Sequence, residues 1–330
     1  MSADISSISD GFARGMGLLA ALTATCGATV SPAFADGAPQ PGETTGKPTV
    51  VLVHGAFADA SAWTGVVERL RAAGYPVMAP ANPLRGLQYD GAYTASVLRS
   101  IKGPVVLVGH SYGGSVINEA ALSSPNVKAL VFAAGFLPAK GESASALAAK
   151  YPGSTLGQTL RQVPFPLPAG GTGTDLYIKQ ELFHKQFAAD VPSSKATVMA
   201  VTQRPVAAQA LEDKASGEAW RHIPSFDLIA SNDKNIPAAA QRWMAKRANA
   251  VSVEVPSSHA APVSHPEAIT QLIERAAHLP SVTAPGLAAT GGHTWRLVGL
   301  AAGAASLGAG LVTVVRRRRI AGPSHLSAGL

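Results

Sequence analysis

Ser111 sits in the string Gly109-His110-Ser111-Tyr112-Gly113, a serine with one glycine two positions before it and one two positions after it. It follows the apolar run Pro104–Val108 and precedes a helical stretch starting near Gly114. A serine on a tight strand-to-helix turn presents its hydroxyl outward, and the paired glycines relieve crowding around a strained backbone. A serine hydroxyl is a poor nucleophile at neutral pH and needs a base. Of nine histidines, His259 follows the last strand run, in Pro256-Ser257-Ser258-His259, on the same edge as Ser111. His265 is the competitor, at the expected start of the final helix. His184 and His222 fall in an insertion, and His278, His293 and His325 come too late in the chain.

An imidazole base needs a carboxylate to fix its tautomer. Asp233, just after the run Phe226–Ala230, is the first choice and Glu142 the reserve acid, whereas Asp227 lies inside the strand run. Negative charge developing on a substrate oxygen requires N–H donors. The expected pair is the amide of Tyr112, opening the helix, and that of Ala56 in the loop His54-Gly55-Ala56-Phe57. His54 reads as a residue that shapes this loop.

The elements that must position these groups follow from the pattern of runs. Short, mostly apolar segments at Thr49–Val53, Pro76–Ala79, Pro104–Val108, Lys128–Ala133, Phe226–Ala230 and Val251–Val255 predict about six strands of a parallel sheet covered on both faces. Helices are expected at Ser61–Ala73, Tyr89–Ile101, Gly114–Ser123, Pro237–Ala248 and Pro266–His278, the last with Ser264 and Glu267 as a capping box. Strand–helix alternation makes the fold class α/β, a doubly wound sheet. Between Pro138 and Pro224 the alternation lapses, and this stretch reads as a helical lid over the carboxyl ends of the strands. Phe136, Tyr151, Phe165, Phe183, Phe187 and Trp220 would give it apolar walls.

Residues 48–279 resemble the α/β-hydrolase superfamily, in its small branch of plant methylesterases, hydroxynitrile lyases and bacterial serine esterases. The resemblance rests on His54–Trp63 (HGAFADASAW), Gly109–Gly114 (GHSYGG), Ser231–Pro237 (SNDKNIP) and Ser257–Glu267 (SSHAAPVSHPE). It implies the chain order Ser111, Asp233, His259 for a triad, an acyl-enzyme, no cofactor and no metal. Hydroxynitrile lyases of this branch carry lysine after the histidine, where this chain has Ala260; dehalogenases and epoxide hydrolases use aspartate in place of Ser111. The leading expectation is a carboxylic ester hydrolase acting on a small molecule. The alternatives are a cofactor-free peroxidase or C–C hydrolase on the same fold, or a binding protein without turnover.

The chain has 330 residues, 47% hydrophobic and only 14% charged, which excludes a disordered, charge-rich chain. One cysteine, Cys26, excludes an internal disulfide scaffold. Both ends read as addressing signals. Arg14, the apolar stretch Met16–Val30 and Ala33-Phe34-Ala35 predict a signal peptide over 1–35 for a signal peptidase, followed by a linker at 36–47. At the other end comes a stalk at 280–296, then 19 uncharged residues, Leu297–Val315, and a basic tail at 316–330 that begins with Arg316–Arg319. At about 1.5 Å per residue this span would cross a bilayer core with the arginines inside. Leu287-Ala288-Ala289-Thr290-Gly291 ahead of it resembles a Gram-positive sorting signal cut by a sortase. The alternative is a permanent membrane anchor, and both readings put the globular part outside the membrane. Without both ends, 21 basic and 18 acidic side chains remain, so no nucleic-acid-binding stripe is expected.

Overall fold

In a computed structural model, the described residues are 46–279. The chain begins with β1 (Thr49–Val53), a 3-10 turn at Ala60–Trp63, α1 (Thr64–Ala72), β2 (Val77–Met78), α2 (Leu87–Arg99), β3 (Val105–His110), α3 (Tyr112–Ala121) and β4 (Val127–Ala133). The insertion then carries α4 (Ala144–Ala148), α5 (Leu156–Thr159), β5 (Leu160–Pro166), β6 (Thr172–Ile178), α6 (Gln180–Phe187), α7 (Ser193–Thr202), β7 (Val206–Ala207) and α8 (Ala208–Glu212). The sheet resumes with β8 (Ser225–Ala230), α9 (Ala238–Arg247), β9 (Val251–Val255), α10 (Ala261–Ser264) and α11 (Pro266–Ala277).

The main sheet has the order β2-β1-β3-β4-β8-β9, every neighbouring pair parallel. All six expected strands form. Because side chains alternate across a strand, each strand feeds two cores. Val50, Leu52, Val106, Val108 and Val131 meet α1 and α11 on one face. Val51, Val53, Leu107, Leu130 and Phe132 meet α2, α3 and α9 on the other. β9 departs from the doubly covered pattern: it is an edge strand, and Val251, Ser252 and Glu254 are exposed.

Three expectations are corrected. The insertion is not helical throughout, since β5, β6 and β7 form a three-stranded antiparallel sheet, paired from Leu160↔Ile178 to Pro166↔Thr172. The capping box of α11 does not form. His265 occupies the N-cap, and the Ser264 hydroxyl turns instead to Ser257 Oγ and His265 Nδ1, each at 3.0 Å. The stretch Ser61–Ala73 divides into the 3-10 turn, capped by Asp59 accepting from Ser61 N at 2.7 Å, and α1. Among the described residues no helix is long and apolar enough to cross a membrane. The expected signal peptide, the sorting motif Leu287–Gly291 and the span 297–315 lie outside the described residues.

One buried group opposes the fold at neutral pH. Asp227, in β8, is fully buried, and neither carboxyl oxygen has a hydrogen-bond partner among the described residues. Burial pushes its pKa well above the usual carboxylate range, so the native state holds a proton that the unfolded chain releases. Its contribution is therefore most favourable below the unfolded-state pKa and falls as pH rises toward the folded-state value, by up to about 1.4 kcal/mol per pH unit. Asp227→Asn removes this titration. The melting temperature of the variant relative to wild type should rise between pH 5 and pH 8, and a constant difference would contradict a protonated Asp227.

Candidate active site

The turn between β3 and α3 is built by close backbone approach. A Cβ on Gly109 would lie 2.5 Å from Gly113 O, one on Gly113 would lie 2.5 Å from Val53 O, and one on Gly55 would lie 2.7 Å from Ser111 Cβ. No larger residue fits at these three places without moving the backbone. Ser111 itself has φ 53° and ψ −123°, a conformation that costs on the order of 1–3 kcal/mol and persists only where its surroundings enforce it. Here the carbonyl of Ser111 accepts from Gly114 N at 2.9 Å and Phe136 N at 3.1 Å, while its amide donates to Ala133 O at 3.3 Å.

Ser111, His259 and Asp233 are brought into one line. Ser111 Oγ lies 2.8 Å from His259 Nε2, and His259 Nδ1 lies 2.7 Å from Asp233 Oδ2. All three side chains are buried. Asp233 is fixed on both oxygens. Oδ1 accepts from the amides of Asn235 at 2.7 Å and Ile236 at 3.0 Å, and Oδ2 also accepts from Gln241 Nε2 at 2.9 Å. With Oδ2 accepting, His259 carries its proton on Nδ1 and turns the Nε2 lone pair toward the serine hydroxyl.

Glu142 stands elsewhere. It accepts from Arg247 Nη1 and Nη2, both at 2.8 Å, and from Ala139 N. Burial opposes ionisation of Glu142, but the Arg247 guanidinium outweighs it and holds the carboxyl below the usual range. Arg247 is in turn covered by the Trp243 ring, 4.2 Å away. This is a pin between the insertion and α9, and Glu142 is not drawn to the imidazole. His265 lies 3.7 Å from Asp190 and outside the Ser111–His259–Asp233 line.

The amides of Ala56 and Tyr112 donate to no acceptor among the described residues. Tyr112 N is the first amide of α3, where unpaired N–H groups and the helix dipole favour negative charge. Phe57, after Ala56, takes φ 61° and donates its amide to Arg204 O of the insertion at 3.0 Å. His54 shapes this loop. Its Nδ1 donates to Gly55 O, and its Nε2 accepts from Asn82 N, each at 2.9 Å. Burial lowers its pKa to about 4, which keeps it neutral.

Two residues near the site carry roles that the motifs alone do not reveal. Gln241 braces both Asp233 and the backbone amide of Ala230. His110 donates from Nε2 to the carbonyl of His259 at 2.8 Å, and burial first, then the neighbouring imidazole of His259, keeps it neutral. The dipeptide His110-Ser111 thus positions both the hydroxyl and the backbone of the histidine facing it. Position 110 in the string was the available signal, but its partner is 149 residues away.

Of the aromatic residues expected as apolar walls, Phe187 packs edge-on against the His259 ring at 4.9 Å and Phe183 stacks on Phe187. Phe57 completes this group through an edge contact with Phe187 at 6.5 Å. Phe136 is buried in the core, with its amide on the Ser111 carbonyl, and the remaining three are engaged apart: Trp220 with Pro138 O, Tyr151 with Trp243, and Phe165 under Arg85. An open groove of about 720 Å³ on the insertion is lined by Arg161, Tyr177, Lys179 and Gln203 among others, and by no residue of the Ser111 line. Among the described residues there is no group of three or more His, Cys, Asp and Glu arranged to hold a metal ion.

Comparison with known proteins adds to this geometry. The family model described as "Alpha/beta hydrolase family" matches residues 50–272. A pyrethroid hydrolase of Sphingobium wenxiniae is 28% identical over 261 residues, 70% of this chain and 88% of that protein. A carbendazim hydrolyzing esterase of a Nocardioides species is 34% identical over 113 residues, covering 30% of this chain and 47% of that one. Among solved structures, polyneuridine aldehyde esterase aligns with a TM-score of 0.60 at 18% identity, over 69% of this chain and 98% of that one, a likeness of fold.

Proposed function

The chain belongs to the alpha/beta hydrolase family and is a carboxylesterase-like hydrolase, and from that premise we propose that it is an exported serine hydrolase cleaving small to medium carboxylic esters. The observation that carries the chemistry is the continuous hydrogen-bonded line from Ser111 through His259 to Asp233. Ser111 Oγ attacks the ester carbonyl carbon while His259 Nε2 takes its proton, and Asp233 stabilises the resulting imidazolium. The amides of Ala56 and Tyr112 receive the oxyanion. Collapse of the tetrahedral intermediate expels the alcohol, which takes the proton from His259 and leaves an acyl-Ser111. A water molecule, deprotonated by His259, then attacks the acyl carbonyl and releases the acid, returning the proton to Ser111. Phe187 beside the histidine, with Phe57 and Phe183 packed against it, favours an apolar acyl or alcohol group.

Export rests on the order of segments in the sequence: the apolar stretch before Ala35, the motif Leu287–Gly291, the span Leu297–Val315 and Arg316–Arg319. The enzyme would meet its small-molecule substrate outside the cytoplasmic membrane, tied to the wall after a sortase cut at Thr290 or held by the span. One experiment addresses chemistry and location together. Envelopes of the native host are treated with a fluorophosphonate probe, extracted with detergent, and then digested with muramidase. Labelled Ser111 is expected, in material released only by muramidase and ending at Thr290. An unlabelled protein overturns the hydrolase, and labelled protein retaining Leu297–Val315 in the detergent extract replaces wall attachment with a membrane anchor.

A further inference from the structure

We propose that Asp190, in the turn that follows α6 of the insertion, is a positioning residue for His259 and acts through the hydroxyl of Ser258. This rests on the reading of His259 as the base. Ser258 precedes the histidine directly and is buried. Its hydroxyl faces Asp190 Oδ1 as a hydrogen-bond donor, lies 3.1 Å from the Phe187 carbonyl, and accepts from Ala260 N at 3.3 Å. A single side chain therefore joins the backbone on both sides of His259 to the insertion.

The turn that presents Asp190 is itself held. Ala188 N donates to His184 O, Val191 N donates to Ala188 O, and His184 Nε2 donates to Val191 O at 2.9 Å. Phe187, three residues before Asp190, places its ring edge-on to His259. Burial would raise the pKa of Asp190, yet hydrogen bonds from Ser258 and Ser264 prevail and keep it ionised, the form that accepts most strongly. The remaining neighbour, His265, approaches Asp190 Oδ2 at 3.7 Å and hydrogen-bonds Ser264. The insertion also meets the other side of Ser111, where Arg204 O accepts from Phe57 N next to Ala56. Asp190 thus holds the base loop from the insertion, while His110 holds it from the sheet.

The length of the His259–Ser111 hydrogen bond depends on where the 257–260 loop rests, so loosening that loop slows acylation more than it weakens binding. Displacing a reacting group by about 1 Å typically costs about a hundredfold, and partial loosening should cost about tenfold. The test measures the second-order rate of Ser111 labelling by a fluorophosphonate, with kcat and KM for p-nitrophenyl butyrate, on the full chain. Asp190→Ala and Ser258→Ala are each expected to slow labelling and kcat about tenfold with KM within about twofold. The double variant should be no slower than the slower single, because both changes break one connection. Asp190→Asn, whose amide oxygen still accepts from Ser258, should restore the rate to within about threefold of wild type. Wild-type labelling rates in Asp190→Ala, or multiplying losses in the double variant, overturn the inference while leaving the hydrolase intact. If Asp190→Ala melts below the assay temperature, Ser258→Ala and Asp190→Asn decide alone: a wild-type rate in the first or a tenfold loss in the second overturns it. Wild-type protein that does not label overturns the hydrolase reading itself.

Discussion

Ser111→Ala is expected to abolish hydrolysis of p-nitrophenyl esters, by at least about a thousandfold in kcat, without lowering the melting temperature by more than a few degrees. The substitution removes one oxygen and leaves the turn in place, because the turn is held by backbone. Gly114 N and Phe136 N still reach the carbonyl of residue 111, and the glycine contacts around it are unchanged. Loss of the hydroxyl leaves His259 Nε2 with no group to deprotonate. Residual turnover from oxyanion binding alone is typically several orders of magnitude below that of an intact triad. Retention of more than about a hundredth of the activity in purified, folded protein would reject Ser111 as the nucleophile.

Asp233→Asn should also be severe, about 10⁴-fold in kcat, for a different reason. The amides of Asn235 and Ile236 require an acceptor at Oδ1, so the asparagine must turn its NH₂ toward His259 Nδ1 and Gln241 Nε2. That forces the imidazole into the tautomer with its proton on Nε2, which cannot take one from Ser111. Glu142→Gln is the matched control. Its carboxylate is occupied by Arg247 and Ala139 N, so kcat should stay within about threefold while the melting temperature falls. Equal loss in the two variants, or a greater loss for Glu142→Gln, would assign the acid to the other loop. A rate profile across the two variants also separates a positioning carboxylate from a merely stabilising one.

Much of this arrangement is local and could be read from the chain. Gly109 and Gly113 are required by contacts within one turn and with the strand beside it, so their spacing about Ser111 announces the turn. Asp233 and His259 follow consecutive parallel strands, β8 and β9, whose carboxyl ends lie on one edge, so position after a strand suffices to converge them. The strands themselves are legible because a doubly covered sheet demands nearly unbroken apolar runs. β1 and β3, buried along most of their length, illustrate this.

Other features depend on partners far along the chain, and these only the tertiary structure decided. β5 contains Pro164 and Pro166, and the turn toward β6 contains Gly170 and Gly171, a composition that argues against a strand when read alone. Pairing with β6 stabilises it nonetheless, and most of its residues remain partly or fully exposed, so no apolar periodicity marks it. Ser264 and Glu267 have capping-box spacing, but Ser257 and His265 offer the serine closer partners. His110 finds its acceptor 149 residues away, and Ser258 finds Asp190 at a separation of 68. Spacing in a sequence reports groups that share a turn or a sheet edge. A hydrogen bond between a strand end and an inserted turn is fixed by the packing of both, and no short pattern encodes it.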